Sequence, residues 1–316
     1  MHRFDGHQWA VILGGSSGFG LATAQVLAAH GMHLCLVHRD RRGAMARIEP
    51  EFEKLRGAGV EVRTCNTDAL DAASRSAVLD ALAADLGREA RVRVLLHSIA
   101  FGNLKLVAPE RRRDGSARAR AALAETLGID AAKLAEAADA LLAAGHDALV
   151  GLASPPEYSD RHFLDADDFA RTVHAMGTSL LDWTQELLAR GLFADDARVF
   201  GLTSEGNTVA WKGYAAVAAA KVALESVARS IAVELAPYGV RCNVVQAGVT
   251  ETPALAAIPG SAHLKAQARA RNPFGRLTTP LDVACVIYLL ARDEAAWING
   301  EVIRVDGGEH ISGATT

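Results

Sequence analysis

Short apolar runs alternate with longer helical patterns along most of the chain, and this rhythm limits the fold more than any other feature. The apolar runs have the length of strands. They are Trp9–Leu13, His33–Val37, Val60–Cys65, Val92–His97, Ala197–Leu202, Val240–Val245 and Glu301–Val305. The helical patterns between them cover roughly 18–30, 42–57, 72–86, 166–190, 211–236 and 280–292. This alternation predicts an α/β fold with one doubly wound, seven-stranded parallel sheet.

The composition narrows the class of protein. The chain has 316 residues, of which half are hydrophobic and 5% aromatic, so we expect a large core of Ala, Leu and Val. The net charge of −4 gives no electrostatic reason to expect nucleic acid or an anionic membrane as a partner. No stretch resembles a signal peptide or a membrane span. These features predict a cytoplasmic protein.

The four cysteines show no spacing typical of a metal site. Cys35, Cys65 and Cys242 lie in or beside apolar runs, which predicts buried, reduced thiols. The eleven histidines are scattered along the chain. The sequence therefore predicts no bound metal.

A glycine-rich turn follows the first predicted strand. Gly14, Gly18 and Gly20 lead into a helical pattern. Glycines let the backbone turn tightly and approach a pyrophosphate, which the positive N-terminal end of the following helix attracts. The turn therefore predicts a dinucleotide site. Ser16 and Ser17 add hydroxyls that either reach the phosphates or remain solvated turn residues.

Tyr214 and Lys221 are seven positions apart in a stretch rich in Ala and Leu that predicts one long helix. Seven residues make almost two turns, so both side chains would leave the same helix face. An ammonium close to a phenol lowers the pKa of the phenol, which makes it a usable proton donor near neutral pH. The alternative is a pair of unrelated surface residues.

Residues 103–165 interrupt the rhythm after the fourth strand. Their Ala-rich part predicts two helices that are separated near Gly128–Asp130, with Asp130 as an N-cap. The segment follows the carboxyl end of a strand, so we expect a lid or a wall of the substrate site. A surface excursion or an oligomer contact is the alternative. We expect residues 1–316 to form a single domain that carries this insertion.

Several motifs occur in one order along the chain. LGGSSGFG (13–20) is followed by LLHSIAF (95–101), FGLTSEGN (200–207), the helix with Tyr214 and Lys221, VRCNVVQAGVTETPA (240–254), NPFGRLTTPLDVA (272–284) and INGEVIRVDGG (298–308). Together they resemble the short-chain dehydrogenase/reductase family, over residues 8–102 and about 166–313. The resemblance implies a Rossmann fold and an oxidoreductase.

Two details resemble the enoyl-acyl-carrier-protein reductase branch of that family. One is HSIAF at 97–101, where ordinary members carry NNAG. The other is the Tyr-x6-Lys spacing, since ordinary members have Tyr-x3-Lys. Two departures point the other way: the glycine turn has the ordinary G-x3-G-x-G pattern, and Ser204 and Glu205 stand where the branch usually has a further Tyr.

The resemblance implies roles for individual residues. Lys221 would bind the nicotinamide ribose, Tyr214 would donate to the substrate oxygen, and Ser204 would be either an auxiliary catalytic residue or a plain turn serine. Cofactor contacts would come from Gly14, Ser16, Ser17, Gly18, Phe19, Gly20, Arg39, Asn66, Thr67, Ser98, Ile99, Ala100, Lys221, Gly248, Val249 and Thr252. Residues 252–272 would form a mobile, apolar substrate-binding segment.

The residues after the second strand predict the form of the cofactor. An NAD-dependent member would place a carboxylate at the strand end, and His38 and Arg39 stand there instead. A guanidinium matches a 2′-phosphate. We therefore expect NADPH rather than NADH. The alternative is that Arg39 only stands at the start of a helix and does not bind the cofactor.

Three functions remain open at this point. The leading hypothesis is reduction of an activated C=C bond, in an enoyl thioester (free or bound to a carrier protein) or an enone, because a more distant Tyr suits a more distant oxyanion. The alternatives are a carbonyl reductase or alcohol dehydrogenase of specialised metabolism, and a catalytically silent NADP-binding sensor. The resemblance also implies a homo-oligomer, a dimer or tetramer, that pairs the helices at 166–190 and 211–236.

Overall fold

The computed structural model describes residues 3–111, 114–159 and 162–313. Over these residues the chain forms one seven-stranded sheet in the order β3-β2-β1-β4-β5-β6-β7, and every neighbouring pair is parallel. The strands are β1 (Gln8–Leu13), β2 (His33–His38), β3 (Val62–Asn66), β4 (Arg91–His97), β5 (Phe193–Ser204), β6 (Val240–Ala247) and β7 (Val302–Val305). The predicted doubly wound α/β fold is confirmed.

The helices lie on both faces of the sheet because alternate strand residues point to opposite sides. They are α1 (Gly18–Ala29), α2 (Arg42–Arg56), α3 (Ala72–Leu86), α4 (Ala117–Leu127), α5 (Ala131–Ala143), α6 (Ala166–Val173), α7 (Ser179–Ala189), α8 (Ala215–Glu234), α9 (Pro253–Ala256), α10 (Ser261–Arg271) and α11 (Pro280–Ala291). Val11 of β1 belongs to the core with Trp183 and Leu224, and its neighbour Ile12 belongs to the opposite core with Phe52. The sheet thus has two separate apolar layers.

The strand order reverses between β1 and β4. In an open parallel sheet, the two connections that leave this point run to opposite faces and open a crevice beyond the carboxyl ends of the strands. The glycine turn after β1 and the HSIAF motif after β4 therefore come together, since Ser98 N donates to Leu13 O.

The predicted helix at 166–190 is not continuous. A π-helical segment, His174–Thr178, separates α6 from α7. Gly177 lies so close to α8 that a Cβ there would stand 2.7 Å from Ala220 O. The wider π-helical turn and the missing side chain at Gly177 let this segment pack closely against α8. Periodicity alone did not predict the break, because the apolar spacing continues through it.

The insertion contains two helices, as predicted. α4 ends before Gly128, which takes a left-handed conformation, and Asp130 caps α5 by accepting from the N–H groups of Ala132 and Lys133. Residues 112–113 and 160–161 of the insertion lie outside the described residues.

Two further points concern the whole chain. Among the described residues, no helix is both long and apolar enough to cross a membrane.

Cys35 and Cys242 are buried free thiols, whereas Cys65 is only half-buried because it lies on the edge strand β3. The prediction of a buried Cys65 is therefore wrong.

Candidate active site

The glycine turn brings the backbone of β1 against the end of β4. Gly14 has a φ of +85°, and a Cβ there would lie 2.5 Å from Ser98 O. Gly20 faces the carbonyl of Gly14 so closely that a side chain at 20 would collide with it. Ser17 is the N-cap of α1 but makes no capping bond with its side chain. The helix N-terminus therefore points free N–H groups at the crevice, which suits an anion.

The crevice has a volume of about 520 Å³ and lies at the carboxyl ends of the strands. Most of the predicted site residues line it, and they come from seven separate stretches of the chain. They are Gly14, Ser16, Ser17, Gly18, Phe19, Arg39, Thr67, Ser98, Ile99, Ala100, Ser204, Tyr214, Lys221 and Thr252. An extended crevice of this size, with an open helix end at one side, fits a dinucleotide.

The remaining predicted residues stand elsewhere. Gly20 lies beneath the turn, and Gly248 and Val249 line a smaller adjoining pocket. Asn66 does not line the crevice. Its amide is held by the backbone of Asp40, whose N donates to Asn66 Oδ1 at 2.9 Å and whose O accepts from Asn66 Nδ2 at 3.0 Å. This leaves Asp68 as the carboxylate beside Thr67 in the crevice.

Tyr214 occupies the N-cap position of α8 rather than its first turn, because the helix begins at Ala215. Its ring packs against Gly206, where a Cβ would lie 2.5 Å from Tyr214 Cε1. Burial raises the pKa of Tyr214, and the nearby Ser204 hydroxyl offsets part of that rise. The expectation that Lys221 lowers the pKa of Tyr214 is therefore wrong: burial dominates, and Lys221 is not among the groups that shift it.

Lys221 is buried on the second turn of α8, with 7% of its surface exposed. Its Nζ donates to Leu202 O of β5 at 2.8 Å. Burial lowers the pKa of Lys221 to about 8, although the carboxylate of Glu225 acts in the opposite direction. An ammonium has three N–H donors, so the bond to Leu202 leaves others for a ligand in the crevice.

Ser204 is the last residue of β5. Its Oγ is buried and makes no hydrogen bond of ordinary geometry within the part of the chain that the structure describes, although it lies near enough to Tyr214 to lower the pKa of that phenol. A buried hydroxyl without a partner is costly unless a ligand satisfies it. The Oγ also lies close to Gly206, against which Tyr214 packs. Two hydroxyls thus converge where the crevice meets the smaller pocket.

The adjoining pocket has a volume of about 220 Å³ and shares Ser204 and Tyr214 with the crevice. Its lining is mostly apolar and comes from six segments of the chain. The apolar members include Gly102, Leu104, Met176, Trp211, Val217, Leu255, Ile258 and Leu264. A small apolar pocket with two hydroxyls at its inner end is typical of a substrate site.

The insertion packs on α10, the helix that carries Leu264. Leu142 of α5 is buried with Ala153 and Ala266, and Arg269 Nε donates to Asp147 at 2.5 Å. Pro156 lies against Gly260, at the N-cap of α10. These contacts join the insertion to α10.

The far end of the crevice carries both signs of charge. The guanidinium of Arg39 lies 4.6 Å from the ring centroid of Phe101, and its Nη1 donates to Asp68 Oδ2 at 2.7 Å. Asp40 is paired with His38 Nδ1 at 2.9 Å. Each carboxylate of this end is therefore already paired with a side chain of the protein.

Several pocket residues escaped the sequence analysis. Trp211 could have been found, because it stands only three residues before Tyr214, and the two rings pack edge to face with centroids 5.5 Å apart. The sequence pattern did not indicate Met176 as a pocket residue, because it is the π-helical turn that directs this side chain to the pocket. Arg271 and Glu309 meet near the pocket from distant parts of the sequence.

Comparisons with known proteins agree with this geometry. The family profile described as "short chain dehydrogenase" matches residues 8–105, and that described as "Enoyl-(Acyl carrier protein) reductase" matches residues 130–310, which is more than half of the chain. A solved short chain dehydrogenase from Burkholderia cenocepacia in complex with NADP covers 97% of this chain and 100% of its own, with a TM-score of 0.68 and 21% identity. This likeness concerns the fold.

The alignments with two curated relatives differ in how much of each chain they cover. The cis-4-hydroxycyclohexanecarboxylate dehydrogenase of Sinomonas cyclohexanicum is 28% identical over 300 residues, which are 95% of each chain. The enoyl-acyl-carrier-protein reductase (NADH) FabI of Aquifex aeolicus is 36% identical over 135 residues, 43% of this chain and 50% of that one. The family profiles, the sheet order and the crevice agree: this chain belongs to the short-chain dehydrogenase/reductase family and is an NAD(P)H-dependent oxidoreductase.

Proposed function

We propose that this enzyme is an NADPH-dependent reductase of an activated C=C bond, in an enoyl thioester or an enone. One observation carries the proposal: Tyr214 occupies the N-cap position of α8 seven residues before Lys221, as a half-buried phenol whose pKa is raised. Seven residues of helix span about 10 Å, against about 6 Å for a spacing of four. Tyr214 thus stands roughly one turn further from Lys221 than a Tyr-x3-Lys pair would.

The longer separation suits enoyl reduction. Hydride is added at the β-carbon, and negative charge develops on a carbonyl oxygen three atoms away. A phenol with a raised pKa remains a neutral hydrogen-bond donor, which is the form that stabilises an enolate oxygen. Alcohol oxidation would instead need the phenolate as a base.

Each residue of the site would have a distinct role. The nicotinamide ring, when bound, supplies the hydride. The turn at Gly14 and the N-terminus of α1 would hold the pyrophosphate, and Lys221 would donate to the ribose hydroxyls while its bond to Leu202 fixes its direction. Tyr214 would donate to the substrate oxygen. Ser204 Oγ, buried without a hydrogen bond of ordinary geometry among the described residues, would be the second donor to that oxygen.

A second candidate is oxidoreduction of a carbonyl or alcohol. The convergence of Ser204 and Tyr214 beside Gly206 would also hold an oxygen directly bonded to the carbon that takes the hydride. The relative named for a cyclohexane alcohol, aligned over 95% of this chain, favours the same chemistry.

The test compares three substrates at equal concentration. They are a 2-enoyl thioester, a 3-ketoacyl thioester of the same chain length, and 4-oxocyclohexanecarboxylate. We expect oxidation of NADPH to be fastest with the enoyl thioester. Turnover of the ketones alone would contradict the proposal and support the second candidate.

We further propose that the cofactor is NADPH. The support is Arg39, which lies in the crevice beside Phe101 and keeps donors beyond the one used by Asp68. The carboxylates Asp40 and Asp68 at the same end favour NADH as the alternative.

Substitution of Arg39 decides between the two cofactors. A hydrogen bond between charged groups contributes about 1.5–3 kcal/mol, so Arg39→Ala should raise the KM for NADPH by about tenfold or more and change that for NADH little. Arg56→Ala, which breaks only exposed ion pairs on α2, serves as the control. A wild-type preference for NADH would refute the argument.

The remaining proposals concern organisation. We propose that residues 103–165 form an outer wall of the substrate pocket, that 252–272 is the substrate-binding segment, and that the protein is a homo-oligomer. Val222 and Val233 on α8 are 48% and 76% exposed, which supports burial of α8 against a second copy. Gel filtration that gives a monomer at micromolar concentration would contradict the oligomer. Location in the cytoplasm stays a prediction.

A further inference from the structure

An ion-pair cluster lies beside the smaller pocket, and one of its members, Glu205, lines that pocket. Arg271 is the last residue of α10. Its Nη1 and Nη2 donate to the two carboxylate oxygens of Glu205, each at 2.8 Å, and Nη2 also donates to Glu309 Oε1 at 2.9 Å. The fork geometry with Glu205 is the strongest arrangement of such a pair.

Glu309 joins the cluster to the loop after β6. It is 2% exposed, and its Oε2 accepts from Val249 N at 3.2 Å. Gly248 leaves the room for this carboxylate, since a Cβ there would lie 2.9 Å from Glu309 Oε2. The cluster thus ties α10 to the chain after β5, β6 and β7.

Glu205 places one carboxylate of the cluster next to the proposed reacting groups. Its side chain is 13% exposed, it lines the apolar pocket, and it directly follows Ser204. Both of its oxygens are occupied by Arg271. A free carboxylate at this position would repel an oxyanion held by Ser204 and Tyr214, and it would draw water into the pocket.

We infer that Arg271 is a positioning residue of the active site: by pairing with Glu205 and Glu309 it fixes the C-terminal end of α10 and keeps an unpaired carboxylate out of the substrate pocket. The part of the substrate that enters this pocket is therefore uncharged, a carbon chain or a ring.

This inference rests on the proposed function only in placing the substrate in the pocket at Tyr214. It does not depend on whether C=C or C=O is reduced. The assay therefore uses whichever substrate class the wild-type enzyme turns over, so failure of the C=C proposal leaves the test of Arg271 intact.

The test is a double-mutant cycle with Arg271→Met, Glu205→Gln and the double variant. We expect Arg271→Met to lower kcat/KM by about tenfold or more, because it frees Glu205 beside the oxyanion. Adding Glu205→Gln removes that charge and should restore a large part of the loss. The Kd of NADPH, from fluorescence titration, should change by less than about twofold across the cycle.

Two further variants separate positioning from general destabilisation. Arg63→Met breaks a forked pair with Asp85 of similar exposure on the edge strand β3, and should leave kcat/KM near the wild-type value. Arg271→Lys keeps the charge but loses the fork, so it should fall between wild type and Arg271→Met, and it carries the test if the Met variant does not fold. The inference is overturned if kcat/KM of the Arg271 variants stays within about twofold of wild type, or if Glu205→Gln restores nothing.

Discussion

Tyr214 and Lys221 lie in one crevice, but their surroundings act on their protons in opposite directions. Burial raises the pKa of the phenol and lowers that of the ammonium to about 8. Both shifts favour the neutral form, as desolvation does for any buried titratable group. Near neutral pH the phenol therefore keeps its proton, while the amine comes within reach of losing one.

The first prediction at this scale concerns the phenol. Tyr214→Phe should lower kcat by about 10²–10⁴-fold with little change in the Kd of NADPH, because only the donor to the substrate oxygen is lost. Tyr238→Phe is the matched control, since Tyr238 is 61% exposed and lines neither cavity of the active site. Equal kcat in the two variants would exclude Tyr214 as the donor.

The second prediction concerns pH. The ammonium of Lys221 is lost as the pH rises through about 8, so the Kd of NADPH should increase above that pH. Lys221→Arg keeps its charge to far higher pH and should give a flatter profile. The unfolded chain binds this proton up to a pKa of about 10.4, so Lys221 also makes the free energy of unfolding rise between about pH 8 and 10.4. Parallel Kd profiles for the two proteins would contradict the assignment.

At the scale of elements, the pocket is lined by residues from the ends of β5 and β6 and from the helices α8, α9 and α10, and the insertion packs on α10. α10 brings Leu264 to the pocket, and Leu142 of α5 packs on its outer side with Ala153 and Ala266. The position of this wall therefore depends on residues outside the family motifs.

The prediction for these elements is that a substitution in the insertion, away from the pocket, weakens substrate binding. Leu142→Ala removes the largest side chain of this small cluster and should raise the KM for substrate several-fold, while the Kd of NADPH stays constant. Leu127→Ala on the neighbouring helix α4 is the control, since Leu127 is 57% exposed. If both variants keep the wild-type KM, the insertion does not support the wall.

At the scale of the whole molecule, Asp196 ties three central strands together. It is paired with Arg93 of β4, Arg198 of β5 and Arg241 of β6. Arg198 is fully buried and Arg93 almost so. The three guanidinium groups hold the pKa of Asp196 below its usual range despite partial burial.

Removal of this charge should destabilise the entire fold. Asp196→Asn leaves buried guanidinium groups without full compensation, which costs about 3–5 kcal/mol for fully buried pairs; we expect the low end, because Asp196 is 33% exposed. Its stabilising effect exists above the unfolded pKa of about 3.9 and is lost as the pH falls through the lower folded pKa. Asp293→Asn, which removes a 77% exposed partner of Arg93, is the control. An unchanged Tm for Asp196→Asn would contradict the prediction.

The sheet could be predicted in detail because buried parallel strands need apolar runs and their helices need an apolar stripe. All seven strands overlap the predicted runs, although β3 begins at Val62 rather than Val60 and β5 is longer at both ends. The break at His174–Thr178 and the start of α8 at Ala215 were not predicted, because close packing at Gly177 and the cap geometry of Tyr214 leave no mark in periodicity. The candidate site was predicted best where a residue follows a strand directly.

The sequence by itself determined the parallel sheet, the dinucleotide turn and the identities of the phenol, amine and hydroxyl at the crevice, because these depend on local patterns and on short distances along the chain. Only the tertiary structure decided the environment of those groups. Burial set the pKa of Tyr214 and Lys221, the amide of Asn66 was taken up by a neighbouring loop, and Arg271 met Glu205 across 66 residues. Desolvation and ion pairing depend on what surrounds a group in space, and segments far apart in the chain supply those surroundings.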